Sequence, residues 1–203
     1  TWQTVIPDQR RISKIDLSDD YLQAIRLYAS CADELKSNEL YRNDLIEFVS
    51  YYVAAKAENF YKQALKDDSE NRVLAAQRNL QQTVDLLMDV DKLLASHPLY
   101  RLEEWVELAR NSGTTLQEKD AYEANAKRLI TSWGGIQEDY AARFWSGLIK
   151  DYYNPRIQLY FTKGRNKIRE WEEQWITSPW SNSTTPFDDP VEAALSLIEK
   201  TNK

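Results

Sequence analysis

Glycine and proline are scarce in this chain, 5 and 6 of 203 residues. Sheets and barrels made of many short strands need frequent turn residues, so the scarcity argues against them and for long helices. Cysteine occurs once, as Cys31, which excludes an internal disulfide and leaves the redox compartment open. Histidine also occurs once, as His97. A zinc site with His and Cys ligands is thereby nearly excluded, and one histidine cannot supply the two Glu-x-x-His pairs of a carboxylate-bridged di-iron bundle. A Ser-His-Asp triad or a Cys-His pair would have to use this residue, which sits beside Pro98 where a helix is predicted to end. No basic surplus exists: the net charge of −6 and pI near 5.0 argue against a general nucleic-acid binder. No apolar run approaches the roughly 18 residues that span a bilayer. A Gly-rich phosphate loop is missing too, because Gly134-Gly135 follows a predicted helix and not a strand. The chain starts at Thr1 with neither an initiator Met nor a signal peptide, and is read as a piece of a longer polypeptide. No cofactor or metal is expected.

What the chain does contain is 42% hydrophobic and 29% charged residues, with 7 Trp and 12 Tyr. Five of the tryptophans, 133, 145, 171, 175 and 180, fall in its last third. Such side chains supply large buried area or, less often, faces for sugars and other ligands. The first 16 residues show no stable period. Ser18 before Asp19 and Asp20 predicts a first helix carrying Leu22, Ile25, Ala29 and Ala32. Ser37-Asn38 breaks it, and a long helix follows to about Asp67 with Leu45, Phe48, Val49 and Tyr52 on one face. Ser69 is expected to open the next, where Val73, Ala76, Leu80, Leu87, Val90 and Leu94 form a heptad seam interrupted by Thr83. Ser96-His97-Pro98 ends it, and a short helix with Leu102, Trp105, Val106 and Ala109 comes next. Thr115-Leu116-Gln117-Glu118 is a capping box. The helix it opens is expected to run to Trp133 and stop at Gly134-Gly135. Another is predicted from about Gln137 through Tyr140, Phe144 and Leu148 to Asn154-Pro155, whose successor would carry Ile168, Trp171 and Trp175. Residues 178–187 form a polar loop before a last helix near Asp189-Pro190. The reading is an all-α fold: one domain over residues 1–203, a single bundle of about seven or eight helices.

Two acidic clusters, Glu103/Glu104/Glu107 and Glu118/Asp120/Glu123, lie on amphipathic helices among Lys and Arg, as solvated faces do. Nothing in them marks the facing carboxylate pair that a glycosidase needs, and no catalytic residue is assigned. Asn182-Ser183-Thr184 is a glycosylation sequon in the polar loop, meaningful only in a eukaryotic source. In residues 129–160 a predicted helix ends on Trp133, turns through two glycines and restarts around Tyr140. That places two aromatics near one end of the bundle, where a pocket shared with another domain can form. On the residues alone, a capped helical corner with core aromatics is the leading reading.

Trp133-Gly134, Asp139-Tyr140-Ala141, Phe144-Trp145-Ser146-Gly147-Leu148 and Tyr152-Tyr153-Asn154-Pro155-Arg156 resemble the C-terminal signature of the α-N-acetylglucosaminidases, glycoside hydrolase family eighty-nine. Tyr41-Arg42-Asn43-Asp44-Leu45 with Tyr51-Tyr52 resembles a long helix of the same domain, so the likeness spans most of the chain. It implies a parent enzyme that removes terminal α-linked N-acetylglucosamine from glycans such as heparan sulfate, with retention of configuration. By the same resemblance, both catalytic carboxylates would sit on a (β/α)₈ barrel of the same polypeptide, against which the helical domain packs. Trp133 and Tyr140 would face the sugar pocket, and Arg156 would tie helices together. The location implied is extracytoplasmic: lysosomal in an animal, periplasmic or secreted in a bacterium. The stretch between Trp133 and Asp139 is shorter than in animal and plant members, with Ile136 a candidate for the missing contacts. The alternative reading is a free-standing helical module that binds a partner protein.

Overall fold

The computed structural model describes residues 19–133 and 141–201. Among them are nine α-helices: α1 (Asp19–Ala29), α2 (Ala32–Leu35), α3 (Glu39–Ser69), α4 (Val73–Leu94), α5 (Leu102–Asn111), α6 (Leu116–Leu129), α7 (Asn154–Lys163), α8 (Ile168–Thr177) and α9 (Pro190–Lys200). The all-helical bundle expected of the sequence is therefore what the chain forms. No strand occurs among the described residues; one isolated parallel bridge joins Arg101 and Ser146. Ser18, the proposed first cap, lies outside them. No described helix is long and apolar enough to cross a membrane.

The axis of the bundle is α3, whose 31 residues span about 46 Å at 1.5 Å per residue. Asn38 opens it, its side chain accepting the Leu40 and Tyr41 N–H groups at 2.9 and 3.3 Å. The burial pattern is wider than the single face the periodicity predicts. Val49, Ser50, Tyr52, Val53, Ala54, Ala55, Ala57 and Glu58 are all buried, so the middle of α3 is covered nearly all round. Phe48, expected on the core face, is instead 38% exposed.

Helix α4 returns antiparallel along α3 and buries Leu86, Leu87, Val90, Leu93 and Leu94. Thr83 does not weaken the seam: it is fully buried, and its hydroxyl donates to the Asn79 carbonyl at 2.9 Å. Val73, the first seam residue, is exposed. Ser69 does not open α4; it is the last residue of α3. The corner is closed by Asp67, buried, which accepts from Gln63 Nε2 at 2.8 Å, Arg72 Nε at 3.0 Å and Asn79 Nδ2 at 2.7 Å. Asn71 reverses the chain there at φ 58°, a left-handed conformation that Asn tolerates. Helix α9 lies against α3 and α4, α1 against α3, and α5 and α6 pair as a hairpin whose α6 contacts α8.

The largest departure from the sequence reading lies before α7. Residues 142–145 are not helical, and the helix expected there from about Gln137 does not run through Phe144. Leu148 starts instead a π turn, Ile149–Tyr153, which runs straight into α7. Asn154 sits in helical geometry there, not as a cap, and its N–H reaches Ile149 O in the wider register. Pro155 follows, where its missing N–H would break an α ladder; the π turn absorbs the misfit. Gly164 at φ 74° then ends α7, so Ile168, Trp171 and Trp175 belong to a separate helix, α8.

Candidate functional site

The corner singled out by the sequence is built from the end of α6. The predicted capping box is present: Thr115 Oγ1 accepts the Glu118 N–H at 3.2 Å, and Glu118 accepts the Thr115 N–H at 3.0 Å. Bonds from the Thr114 hydroxyl, then from the Thr114 and Thr115 N–H groups, hold the Glu118 carboxyl down at about 2. Four turns later α6 ends on Leu129, earlier than expected. The left-handed residue that closes the turn is Trp133, at φ 54°, whose N–H reaches the Arg128 carbonyl at 2.8 Å. A bulky residue in that region of backbone space is a steric outlier. Its side chain is 37% exposed, the largest side chain among the exposed hydrophobics. Tyr140 and Ile136, with Gly134-Gly135, lie outside the described residues.

Residues 142–146 form an irregular strap across the bundle that is pinned on both sides. Phe144 stacks on Tyr51 of α3 with ring centroids 5.1 Å apart, and Trp145 meets Trp105 of α5 edge-on at 6.0 Å. The Arg143 carbonyl accepts the Tyr153 hydroxyl at 3.0 Å. Ser146 exchanges backbone bonds with Tyr100 and Leu102 at 2.8 and 3.0 Å. The next turn is held by Asp91 of α4, fully buried, whose Oδ1 accepts the Gly147 and Lys150 N–H groups at 2.8 and 3.0 Å while Oδ2 accepts the hydroxyls of Ser146 and Thr184. A carboxylate from a distant helix thus does what a local N-cap residue does for an ordinary helix. Burial pushes the Asp91 carboxyl above its usual range, against these bonds.

Beside this segment, the Tyr100 hydroxyl hydrogen-bonds with Glu47 and Tyr51, and burial followed by Glu47 pushes its phenol well up. His97 packs edge-on against Tyr100 at 4.5 Å; its Nδ1 accepts the Leu99 N–H at 3.1 Å. Burial lowers its imidazole, which therefore serves as a neutral acceptor in the turn.

The acidic clusters divide. Glu103 pairs with Arg101 at 3.0 Å near the surface, as a solvated face would. Glu123 contradicts that reading, being 1% exposed. It meets Arg110 at 2.6 Å and Lys127 at 3.0 Å, and accepts the Trp180 N–H at 2.6 Å. Periodicity alone could not reveal this, because two of its partners, Arg110 of α5 and Trp180 of the loop after α8, come from other elements. Lys127, equally buried, also donates to the carbonyls of Trp175 and Ser178. Burial draws its ammonium below the ordinary range, and Glu123 opposes that. Arg156, expected to tie helices, does so: it is buried, its Nε lies 2.6 Å from Glu172 of α8, and its guanidinium covers the Tyr152 ring at 5.2 Å. Among the described residues no group of three or more His, Cys, Asp and Glu could hold a metal ion.

Comparison with known proteins accounts for the arrangement. The profile of the alpha-N-acetylglucosaminidase (NAGLU) C-terminal domain matches residues 8–200. The chain belongs to that family. The human alpha-N-acetylglucosaminidase is 30% identical over 144 residues, which is 70% of this chain and 19% of the human protein. The fold matches that of a family 89 glycoside hydrolase from Clostridium perfringens in complex with PUGNAc, with a TM-score of 0.76 and 21% identity over 88% of this chain and 23% of the other. A doubly substituted form of that enzyme, in complex with its substrate GlcNAc-alpha-1,4-galactose, matches at a TM-score of 0.73. The chain thus spans about a fifth of the length of these relatives. In this α-N-acetylglucosaminidase C-terminal domain, the signature block at residues 141–156 has an irregular backbone: strap, Asp91-held turn, π turn, proline.

Proposed function

We propose that this domain completes the exo-acting sugar pocket of an α-N-acetylglucosaminidase whose catalytic carboxylates belong to a (β/α)₈ barrel in the same polypeptide. The observation that carries the reading is Trp133, a bulky residue at φ 54° that stays 37% exposed at the end of α6. Strain of this kind persists only where surrounding structure imposes it, and it clusters at ligand sites. Family membership over residues 8–200 supports a role within such an enzyme. So does the state of the buried carboxylates Asp91, Glu123 and Glu172, each already bound to groups of the domain itself. The substrate class is a glycan with a terminal α-linked N-acetylglucosamine, heparan sulfate among them, cleaved with retention in an extracytoplasmic compartment. Trp133 gives the sugar an apolar face, and the Tyr140 hydroxyl bonds its oxygens.

The test is Trp133→Ala and Trp133→Gly in the full-length polypeptide, assayed on an aryl α-N-acetylglucosaminide. Loss of the contact should reduce kcat/KM by about 10- to 100-fold, roughly 1–3 kcal/mol in transition-state stabilisation. The thermal midpoint should hold, and glycine should raise it by removing the strain. Unfolding with unchanged activity per folded molecule would assign Trp133 to the core and overturn the reading.

A further inference from the structure

Three tryptophans that the sequence scatters over ten positions converge on one cavity. Trp171 and Trp175 of α8 and Trp180 of the following loop line a hollow of about 350 Å³ together with Asp151, Pro155 and Asn182. All three indoles remain partly exposed. Trp171 stacks on Tyr152 with centroids 5.7 Å apart and Trp175 tilts against the same ring at 4.8 Å, so both planes are fixed in advance.

The polar groups are arranged with equal economy. Trp180 Nε1 donates to Asp151 Oδ2 at 2.9 Å and orients the carboxylate. Its Oδ1 has no partner among the described residues, and neither do the indole N–H groups of Trp171 and Trp175. Lys127, the cation in the wall, has its three N–H bonds committed to Glu123, the Trp175 carbonyl and the Ser178 carbonyl. The cavity therefore offers indole surface and one carboxylate oxygen without a partner among the described residues, with the committed Lys127 ammonium lying over the Trp175 ring at 5.0 Å.

We propose that this cavity is a binding site for one uncharged pyranose ring, a hexose or N-acetylhexosamine unit of a glycan. A pyranose has an apolar C–H face to lie on an indole, and hydroxyls that both donate and accept. The volume is near the lower limit of small-ligand pockets, about 300 Å³, which suits a single ring better than an oligosaccharide. The carboxylate of Asp151, the acidic group in the lining, disfavours uronic or sulfated units. The inference makes no use of Trp133 and stands apart from the proposed function.

The probes are methyl α-N-acetylglucosaminide and methyl β-galactoside, with methyl glucuronide as the charged control. They are titrated into the protein while its tryptophan indole N–H resonances are followed by NMR. The Trp171 and Trp175 signals, assigned from Trp171→Phe and Trp175→Phe, should shift saturably with a Kd of order 1 mM. Asp151→Ala should weaken binding about tenfold, one hydrogen bond's worth, whereas Trp133→Ala should leave it unchanged. Asp151→Asn keeps an acceptor for Trp180 and serves if the alanine variant does not fold; it should weaken binding less. No saturable shift with either neutral sugar overturns the proposal. So does binding that glucuronide matches, or that survives Asp151→Ala in full.

Discussion

The Asp91 carboxylate and the Gly147 N–H meet at 2.8 Å across 56 positions of chain, in the interior of the bundle. This bond links the seam helix α4 to the turn that ends the strap and starts the π turn. Gly147 stands there at φ 83°, and a Cβ on it would lie 3.0 Å from Trp180 Cζ2 and 3.2 Å from Leu102 Cβ. Glycine is required on both counts. Gly147→Ala should destabilise the fold by about 1–3 kcal/mol, from backbone strain plus overpacking. Asp91→Ala should cost about as much or more, since it strands two N–H groups in the interior. Urea unfolding monitored by tryptophan fluorescence measures both; midpoints within error of wild type would contradict the arrangement.

The Lys127–Glu123 pair is the second internal latch, with both side chains at most 2% exposed. Lys127→Met leaves Glu123 with Arg110 as its remaining cation and strips two carbonyls of their donor, so it should cost about 2–3 kcal/mol. It should also release the loop after α8, because the Trp175 and Ser178 carbonyls lose their donor. Faster proteolysis within residues 178–187 reports that release. The neighbouring pair Arg128–Glu173 has side chains 34% and 57% exposed, and Arg128→Ala should cost no more than about 1 kcal/mol. Equal effects of the two substitutions would show that burial is not what distinguishes them.

What could be read in the sequence was local. The capping box at Thr115 needs only neighbours within a few positions and folds as read, while the Ser37-Asn38 break and the helix start near Asp189-Pro190 prove to carry caps on Asn38 and Asp189. The irregular corner was not legible, for a physical reason. Phe144 and Leu148 have helical spacing, but the helix gives way because Asp91, Tyr100 and Leu102 supply hydrogen-bond partners from elsewhere in the chain. Glu123 looked solvated because Arg110 and Trp180 meet it only in the tertiary fold. Glycine was the natural choice for the left-handed residue after α6, yet Trp133 takes that conformation. Its partner in the expected pocket, Tyr140, lies outside the described residues, so their juxtaposition rests on the family resemblance.

The capping box of α6 gives a prediction at acid pH. Glu118 is held at about 2 in the fold, below its ordinary 4.5, chiefly by the Thr114 hydroxyl. The unfolded chain therefore binds the proton first as pH falls. The stabilisation is complete above about 4.5 and disappears on descent toward 2. Glu118→Gln should lack this acid-limb loss, with stability lower than wild type at neutral pH and the difference closing by about pH 2. Thr115→Ala, which removes the other half of the box, should cost about 1 kcal/mol at neutral pH. Circular dichroism melts across the range decide it: a Glu118→Gln profile parallel to wild type would remove the box as the cause.

A single histidine gives a separate pH dependence close to neutrality. His97 is buried, with Nδ1 accepting the Leu99 N–H, and Tyr100 packs on its ring. Burial depresses its imidazole below the ordinary 6.5, while Glu47 and Asp44 oppose the shift without reversing it. Above about 6.5 folded and unfolded states are both neutral, and the stabilisation is complete. As pH falls through that value the unfolded chain takes up a proton that the fold resists, and stability declines until the folded-state value is passed. Protonation also removes the acceptor that Leu99 needs. His97→Asn keeps an acceptor two residues before Leu99, in the manner of an Asx turn, and does not titrate. Between about pH 7.5 and 5.5 the wild-type melting temperature should fall relative to that of His97→Asn. A constant gap between the two across this window would mean that His97 takes up its proton equally in both states.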